Sequence, residues 1–304
     1  MHVAFIPFSV RCPQHSGSAS IRLRVDWMVK KIEEAERVDS LDSLGEFDIV
    51  VLQKVYGYGL NEKIQRLKQD SKKIIVDICD PDWTLPGMDG YVEEALLMSD
   101  AITVPTEIMK EKLYDEMGIN KKKIHVIEDS MDLDYHNTFK EHLNEKHTPI
   151  LVWFGNSGTI QSLKHYLPDL EEVYKHINFK MVFITNNIKE KIQTSIPHYK
   201  MKWSLETVNN LIISCDVSIN TKIKGEEYKS NNKTLTSWAC GIPCIEIWPW
   251  TNRKEWMLRL QSYLESPALR IMEGKECRKH IEKWYNTSTT SKKWNKLLNE
   301  LNAK

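Results

Sequence analysis

Short apolar, β-branched runs alternate with longer amphipathic stretches along most of this chain. The runs cover residues 3–8, 47–52, 73–78, 101–104 and 123–127, and then 150–154, 180–185, 217–220 and 244–247. Between them apolar residues recur at helical spacing, as in 21–35, 60–69, 107–117, 205–214 and 235–240. A strand that is apolar at every position is buried on both faces, and parallel strands need helical crossovers. The pattern predicts an α/β protein with largely parallel, doubly wound sheets.

The alternation breaks once. Residues 128–147 are polar and lack apolar periodicity, and Thr148-Pro149 stands directly before the next strand. A domain boundary is expected there, giving Rossmann-like domains over 1–147 and 148–285, followed by a helical tail. Trp284, Trp294, Leu297, Leu298 and Leu301 are the apolar anchors of that tail. Two such domains face each other across a cleft in this reading. Ligands of open α/β sheets bind beyond the carboxyl ends of the strands, so the loops that follow strands are where chemistry is expected.

Composition narrows the function classes. Among 304 residues, 42 Lys+Arg balance 42 Asp+Glu, so no overall basic field attracts nucleic acid or an anionic surface, although a local patch is compatible with zero net charge. With 41% hydrophobic and 28% charged residues, the chain reads as globular and not as disordered. No apolar stretch approaches the ~20 residues of a membrane helix, and the N-terminus lacks the pattern of a secretory signal. Cys12, Cys79, Cys215, Cys240, Cys244 and Cys277 are scattered, and the Cys240/Cys244 spacing is not that of a zinc site. The expectation is a cytoplasmic protein with free thiols, no metal and no resident cofactor.

Four constellations carry candidate chemistry. Gly155-Asn156-Ser157-Gly158-Thr159 follows a strand and precedes a helix, where free backbone N–H groups favour an anion such as a diphosphate. It is neither a P-loop nor a GxGxxG, and an ordinary βα turn is the plainer reading. Lys229-Ser230-Asn231-Asn232-Lys233 opens a helix that ends before Gly241 and Pro243. Lysines at a helix start are explained by a bound phosphate, or by a solvated basic start. Gly17-Ser18-Ala19-Ser20 opens another helix bearing Arg22 and Arg24. Their spacing puts them on different faces, so one at most faces a ligand and the other makes an ion pair. Finally, Asp80 and Asp82 follow the third strand, where paired carboxylates suit acid/base work or sugar hydroxyls, or Asp80-Pro81 merely begins a turn. Tryptophans 83, 153, 203, 248 and 250 fall near strand ends, where indole faces suit a base or a sugar as well as a core. No GxSxG, HExxH or Cys–His constellation is present.

With these segments in order, the chain resembles glycosyltransferases of the GT-B fold, in the large retaining class that uses nucleotide-activated sugars (group 1, or family 4-like). Residues 18–24 look like the N-terminal loop and helix start of such enzymes, and 77–80 like their acidic strand end. Residues 99–106 resemble the unit before the last N-terminal helix, and 127–132 the approach to the interdomain linker. Residues 152–159 are similar to the first strand and loop of the donor domain. Residues 229–233 running into Ala239-Cys240-Gly241-Ile242-Pro243 form the most specific match, to the donor-binding helix and the strand that follows. Two glutamates with seven residues between them are common at that helix; counting back from Gly241, Tyr228 and Thr236 stand in their places.

The resemblance implies a role for each matched position. Gly155, Asn156 and Ser157 would hold the donor diphosphate. Lys229, Ser230, Asn231 and Lys233 would contact phosphate or ribose, and Trp203 would flank the base. Gly17 and Ser18 would form the loop over the sugar and acceptor; beside that resemblance, Arg22 is the candidate clamp of the same loop and Asp80 the candidate acceptor-side carboxylate. A final helix over 286–304 would pack back on the N-terminal domain. The implied reaction moves a sugar from a UDP- or GDP-sugar to the hydroxyl of a carbohydrate or other acceptor, with retention and without metal. Alternatives are a catalytically impaired nucleotide binder of the same fold and a sugar transferase acting on modified DNA bases. Zero net charge argues against the second of these, and the missing GxGxxG argues against a nicotinamide oxidoreductase.

Overall fold

The computed structural model describes residues 1–15, 17–42, 44–145 and 147–303, with the backbone alone at His15. Contacts gather the chain into two compact units. One comprises Met1–Ser130, Tyr228–Ser230 and Tyr285–Lys304; the other comprises Met131–Glu227 and Asn231–Trp284.

The first unit is a six-stranded sheet with every pair parallel. Its elements are β1 (Val3–Pro7), α1 (Ala19–Ile21), α2 (Trp27–Val29), β2 (Ala35–Arg37), β3 (Ile49–Gln53), α3 (Asn61–Gln69), β4 (Lys73–Asp77), α4 (Asp89–Met98), β5 (Ala101–Val104), α5 (Glu107–Met117) and β6 (Ile124–Val126). Strand order is β2-β1-β3-β4-β5-β6, so the winding reverses between β1 and β3. Alternate residues serve opposite faces. Ala4, Ile6, Val50, Leu52, Ile74 and Val76 share a core with Ile64 and Leu67 of α3, Val92 and Leu96 of α4, and Met109 and Leu113 of α5. Each such Val, Leu, Ile or Met side chain contributes roughly 1.5–3 kcal/mol by leaving water.

The second unit contains β7 (Ile150–Gly155), α6 (Ile160–Tyr174), β8 (Lys180–Thr185), β9 (His198–Lys202), α7 (Val208–Ile213), β10 (Val217–Thr221), α8 (Asn232–Ala239), β11 (Cys244–Ile247), α9 (Arg253–Glu265) and α10 (Pro267–Trp284). Its five strands are parallel in the order β11-β10-β7-β8-β9, the dinucleotide-fold order, which reverses between β7 and β10. One face packs Leu151, Trp153, Phe183 and Ile219 against Leu163, Leu167 and Leu170 of α6 and Leu260 and Tyr263 of α9. The other packs Val152, Phe154 and Ile184 against Val208 and Ile212 of α7 and against Cys240 and Ile242. Beyond α8 the chain turns through Gly241 at φ 71°, where a side chain is strained, and Ile242 N–H bonds the Ser237 carbonyl at 2.9 Å.

Helix α11 (Thr287–Asn302) belongs to the first unit, where the Trp294 ring meets Phe5 of β1 edge-on at 5.2 Å. The final helix, expected over 286–304, spans Thr287–Asn302, and Trp284 closes the preceding helix, α10. Asn286 caps α11 by accepting from Thr289 N–H at 2.9 Å, which ends the preceding helix. Two strands escape the apolar pattern, β2 and β9. Their sequences, Ala-Glu-Arg and His-Tyr-Lys-Met-Lys, lie at sheet edges, where polar side chains are expected because one side lacks a partner. All six cysteines are free. Among the described residues no helix is long and apolar enough to cross a membrane.

Candidate functional site

Strand β7 delivers Gly155 to the carboxyl edge of the second sheet. A Cβ on Gly155 would lie 2.9 Å from Lys233 Nζ, 2.9 Å from Thr159 Oγ1 and 3.0 Å from the Trp153 ring, so the backbone here leaves room for the lysine. The Lys233 ammonium lies 3.4 Å from Thr159 Oγ1 and 5.2 Å from the Trp153 ring centroid. Trp153 is itself fixed: its N–H donates to Thr221 Oγ1 at 3.1 Å, and Thr221 pairs with Ser162 at 2.9 Å. Sequence residues 155 and 233, far apart in the chain, thus meet at the reversal point between β7 and β10.

The loop after β7 is organised by its own side chains. Asn156 Oδ1 accepts from Gly158 N–H at 2.9 Å, and Ser157 N–H donates to Asn186 Oδ1 at 2.8 Å. These two amides, which the sequence offers to an anion, already have acceptors. Neither α6 nor α8 has an acidic residue in its first turn, but the Ile160 N–H at the start of α6 donates to the Ser157 carbonyl, and the Glu246 carboxylate lies against Asn231 and Thr234 at the start of α8.

Glu246, on β11, is a functional candidate that the sequence reading passes over. Its carboxylate receives Thr234 Oγ1 at 2.5 Å, Asn231 Nδ2 at 3.2 Å and Trp248 Nε1 at 3.3 Å. The signal was an acid inside the otherwise apolar run Cys244-Ile245-Glu246-Ile247. Beyond it, Trp248 and Trp250 stack at 5.1 Å with an interplanar angle of 16°, and the Lys222 ammonium sits 5.4 Å from the Trp248 ring. Trp203 is half-buried beside the α7 core, its N–H bonded to the Thr185 carbonyl at 2.9 Å.

The 229–233 segment is divided. Asn231 and Lys233 belong to the second unit, whereas Lys229 and Ser230 belong to the first. There the Ser230 hydroxyl donates to Asp129, which closes a buried network. Arg24, 3% exposed, grips both Asp77 oxygens, meets Asp129 Oδ1 at 2.9 Å and donates to the Ile127 carbonyl at 2.9 Å. Burial works against its charge, but Asp77 and Asp129 outweigh that and hold the guanidinium above its ordinary value. A π-helical turn, Arg22–Asp26, interrupts the helix between α1 and α2 and carries Arg24 inward. Arg22 instead lies over the Trp27 ring at 5.6 Å. Ser18 caps α1 through Ile21 N–H at 3.4 Å, and a Cβ on Gly17 would meet nothing within 4 Å.

Asp80 lies beyond β4, in a charged cluster of the first unit. Lys54, at φ 56°, places Nζ 2.7 Å from Asp80 Oδ2 and 3.2 Å from Asp82 Oδ2. Tyr56 donates to Asp82 Oδ2 at 2.5 Å. Burial pushes the Asp82 carboxyl, the Tyr56 phenol and the Cys79 thiol upward. Asp80 is the more exposed of the two carboxylates and has the lysine as its counter-ion.

No family model matches the sequence, and no curated protein matches it. Solved structures do match. The apo lipopolysaccharide outer core galactosyltransferase WaaB superposes with a TM-score of 0.68 at 11% identity, over 99% of this chain and 99% of that one. HepE of Anabaena in complex with UDP gives 0.69 at 8% identity, over 99% and 100%. An alpha-glucosyltransferase in complex with UDP gives 0.64 at 12% identity, over 99% and 99%. The chain has the GT-B fold of these glycosyltransferases.

Proposed function

We propose that the protein is a glycosyltransferase that moves a sugar from a nucleoside diphosphate sugar, with UDP as the carrier, to an acceptor hydroxyl. The observation that carries this reading is the Lys233 ammonium seated at Gly155 and Thr159, between the starts of α6 and α8 at the reversal point of a dinucleotide-type sheet. Breaking a sugar–phosphate bond builds negative charge on the departing diphosphate. A fixed ammonium and aligned helix N–H groups stabilise that charge as it forms, and they need little reorganisation to do so. In this reading Lys233 and the helix starts do the work that a metal ion does elsewhere, and the anomeric configuration is retained. UDP bound to two of the fold neighbours supports the choice of carrier.

On the acceptor side, Asp80 is the carboxylate of this reading. Lys54 pairs with it at 2.7 Å and orients it, which fits a group that accepts a hydrogen bond from the attacking hydroxyl. The test is release of UDP from a panel of UDP-sugars by wild-type protein and by Lys233→Ala. Slow release from one donor, lost in the variant, supports the reading. Equal turnover by both proteins contradicts it.

A further inference from the structure

A cavity of about 320 Å³ opens at the edge of the second sheet opposite Gly155. Lys140, His142 and Leu143 of the segment before β7 line it, together with Asp216 and Arg270. Asp216 fixes its place. It stands directly before β10, and it accepts from the N–H of Ile150, the first residue of β7, at 2.8 Å. The length of β7, roughly 15–20 Å, therefore separates this cavity from Gly155.

Arg270 is only 2% exposed. Its Nη1 donates to the Tyr263 and Leu264 carbonyls at 2.6 and 3.1 Å, in the last turn of α9, which holds the guanidinium in place. Among the described residues, Nε and Nη2 of Arg270 have no acceptor and the group makes no ion pair. Burial depresses the guanidinium, and Asp216 offsets this only in part. A buried cationic edge without an acceptor is costly and calls for one. The neighbouring charges are already engaged: Lys140 Nζ pairs with Asp216 Oδ1 at 3.1 Å, and His147 Nε2 meets Oδ2 at 3.0 Å. His142, lowered to about 4 by burial and the Lys140 charge, is neutral near pH 7. Glu141 and Glu145 also border the cavity, but both are exposed and, among the described residues, neither pairs with Arg270. The Nε–Nη2 edge of a guanidinium matches the two oxygens of a carboxylate, and one uncompensated positive charge suits a monoanion better than a phosphate dianion. Phe139, Leu143 and Ile213 give the rest of the wall an apolar character, with Leu143 64% exposed.

We propose that this cavity binds a small monocarboxylate with an apolar body. The carboxylate sits on the Nε–Nη2 edge of Arg270, and the body rests against Phe139, Leu143 and Ile213. The site is separate from the Lys233 site, and the inference does not depend on the nucleotide-sugar reading.

The test is calorimetric titration of the whole protein at constant ionic strength. The probes are benzoate and isovalerate, each beside its neutral amide, and inorganic phosphate; the proteins are wild type, Arg270→Met and Leu143→Glu. Leu143 is exposed, so Leu143→Glu is expected to fold while setting a like charge at the cavity. Wild type is expected to bind at least one of the two carboxylates about tenfold more tightly than its amide or phosphate, the scale of a charge-assisted hydrogen bond. That preference is expected to vanish in Arg270→Met and to shrink in Leu143→Glu. Failure of both carboxylates to bind wild type, or equal affinity for acid and amide, overturns the proposal. So does carboxylate binding that survives in Arg270→Met or, should that variant not fold, in Leu143→Glu. A preference for phosphate overturns the assignment of ligand class.

Discussion

Lys233 Nζ and the Gly155 α-carbon are packed so closely that a methyl group on Gly155 would come within 2.9 Å of the ammonium. The glycine is there for the lysine, and the lysine is fixed by Thr159 and the Trp153 ring. Gly155→Ala therefore displaces Lys233 while leaving the strand intact. The expected result is a UDP affinity lowered by about tenfold with a stability loss of roughly 1–3 kcal/mol. Titration and urea unfolding of the same variant check both halves.

Removing the Lys233 charge should matter more than removing its bulk. Lys233→Met retains the contact with Trp153 and is expected to lose UDP binding as far as Lys233→Ala does. Lys233→Arg is expected to recover part of it. Raising the salt concentration should weaken UDP binding to wild type and have less effect on the methionine variant, because the screened charge is absent.

Arg24 is a structural cation. It is buried against Asp77 and Asp129, and Ser230 adds a hydroxyl to the same network. Arg24→Met leaves two buried carboxylates without their cation and is expected to destabilise the protein by about 3–5 kcal/mol. Chemical unfolding of Arg24→Met beside wild type reads the loss.

His142 gives the second unit an acid-sensitive contact. Burial, with the Lys140 charge next to it, lowers its pKa from the ordinary 6.5 to about 4, and its Nε2 lies 3.1 Å from the Gly241 carbonyl. A histidine whose folded pKa is depressed takes up its proton more readily when unfolded. Its contribution is therefore complete above pH 6.5 and is lost as pH falls from there toward about 4. His142→Gln is expected to flatten the fall in melting temperature between pH 7 and pH 5 compared with wild type.

What the sequence reveals of this fold follows from burial. Continuous apolar runs mark the strands that are covered on both faces, and nine of the eleven strands in the two sheets appear that way. Edge strands β2 and β9 do not, because half of their surface faces water and their residues are correspondingly polar. The Gly155 loop and the Lys233 helix are legible as short motifs at strand–helix junctions, although an ordinary turn and a solvated basic start read the same way in sequence. Their meeting is not legible, because it depends on β7 and β10 being neighbours. Arg22 and Arg24 are separable in principle by helical spacing, but the π-turn that carries Arg24 inward leaves no mark in composition. Glu246 was visible as a lone acid in an apolar strand. Its importance appears only once Asn231, Thr234 and Trp248 converge on it from other segments.

The central claim is that Lys233 and the helix starts around it hold a nucleoside diphosphate. The most direct measurement is calorimetric titration of UDP, GDP, ADP and CMP into wild type and Lys233→Ala, with melting temperatures recorded alongside. At a hundred times its dissociation constant a ligand should stabilise the protein by about 2.7 kcal/mol. The account predicts that UDP binds and stabilises wild type more than the other three, and that Lys233→Ala folds normally but loses the effect. Binding of none of the four, or UDP binding that is equally strong in Lys233→Ala, would contradict it.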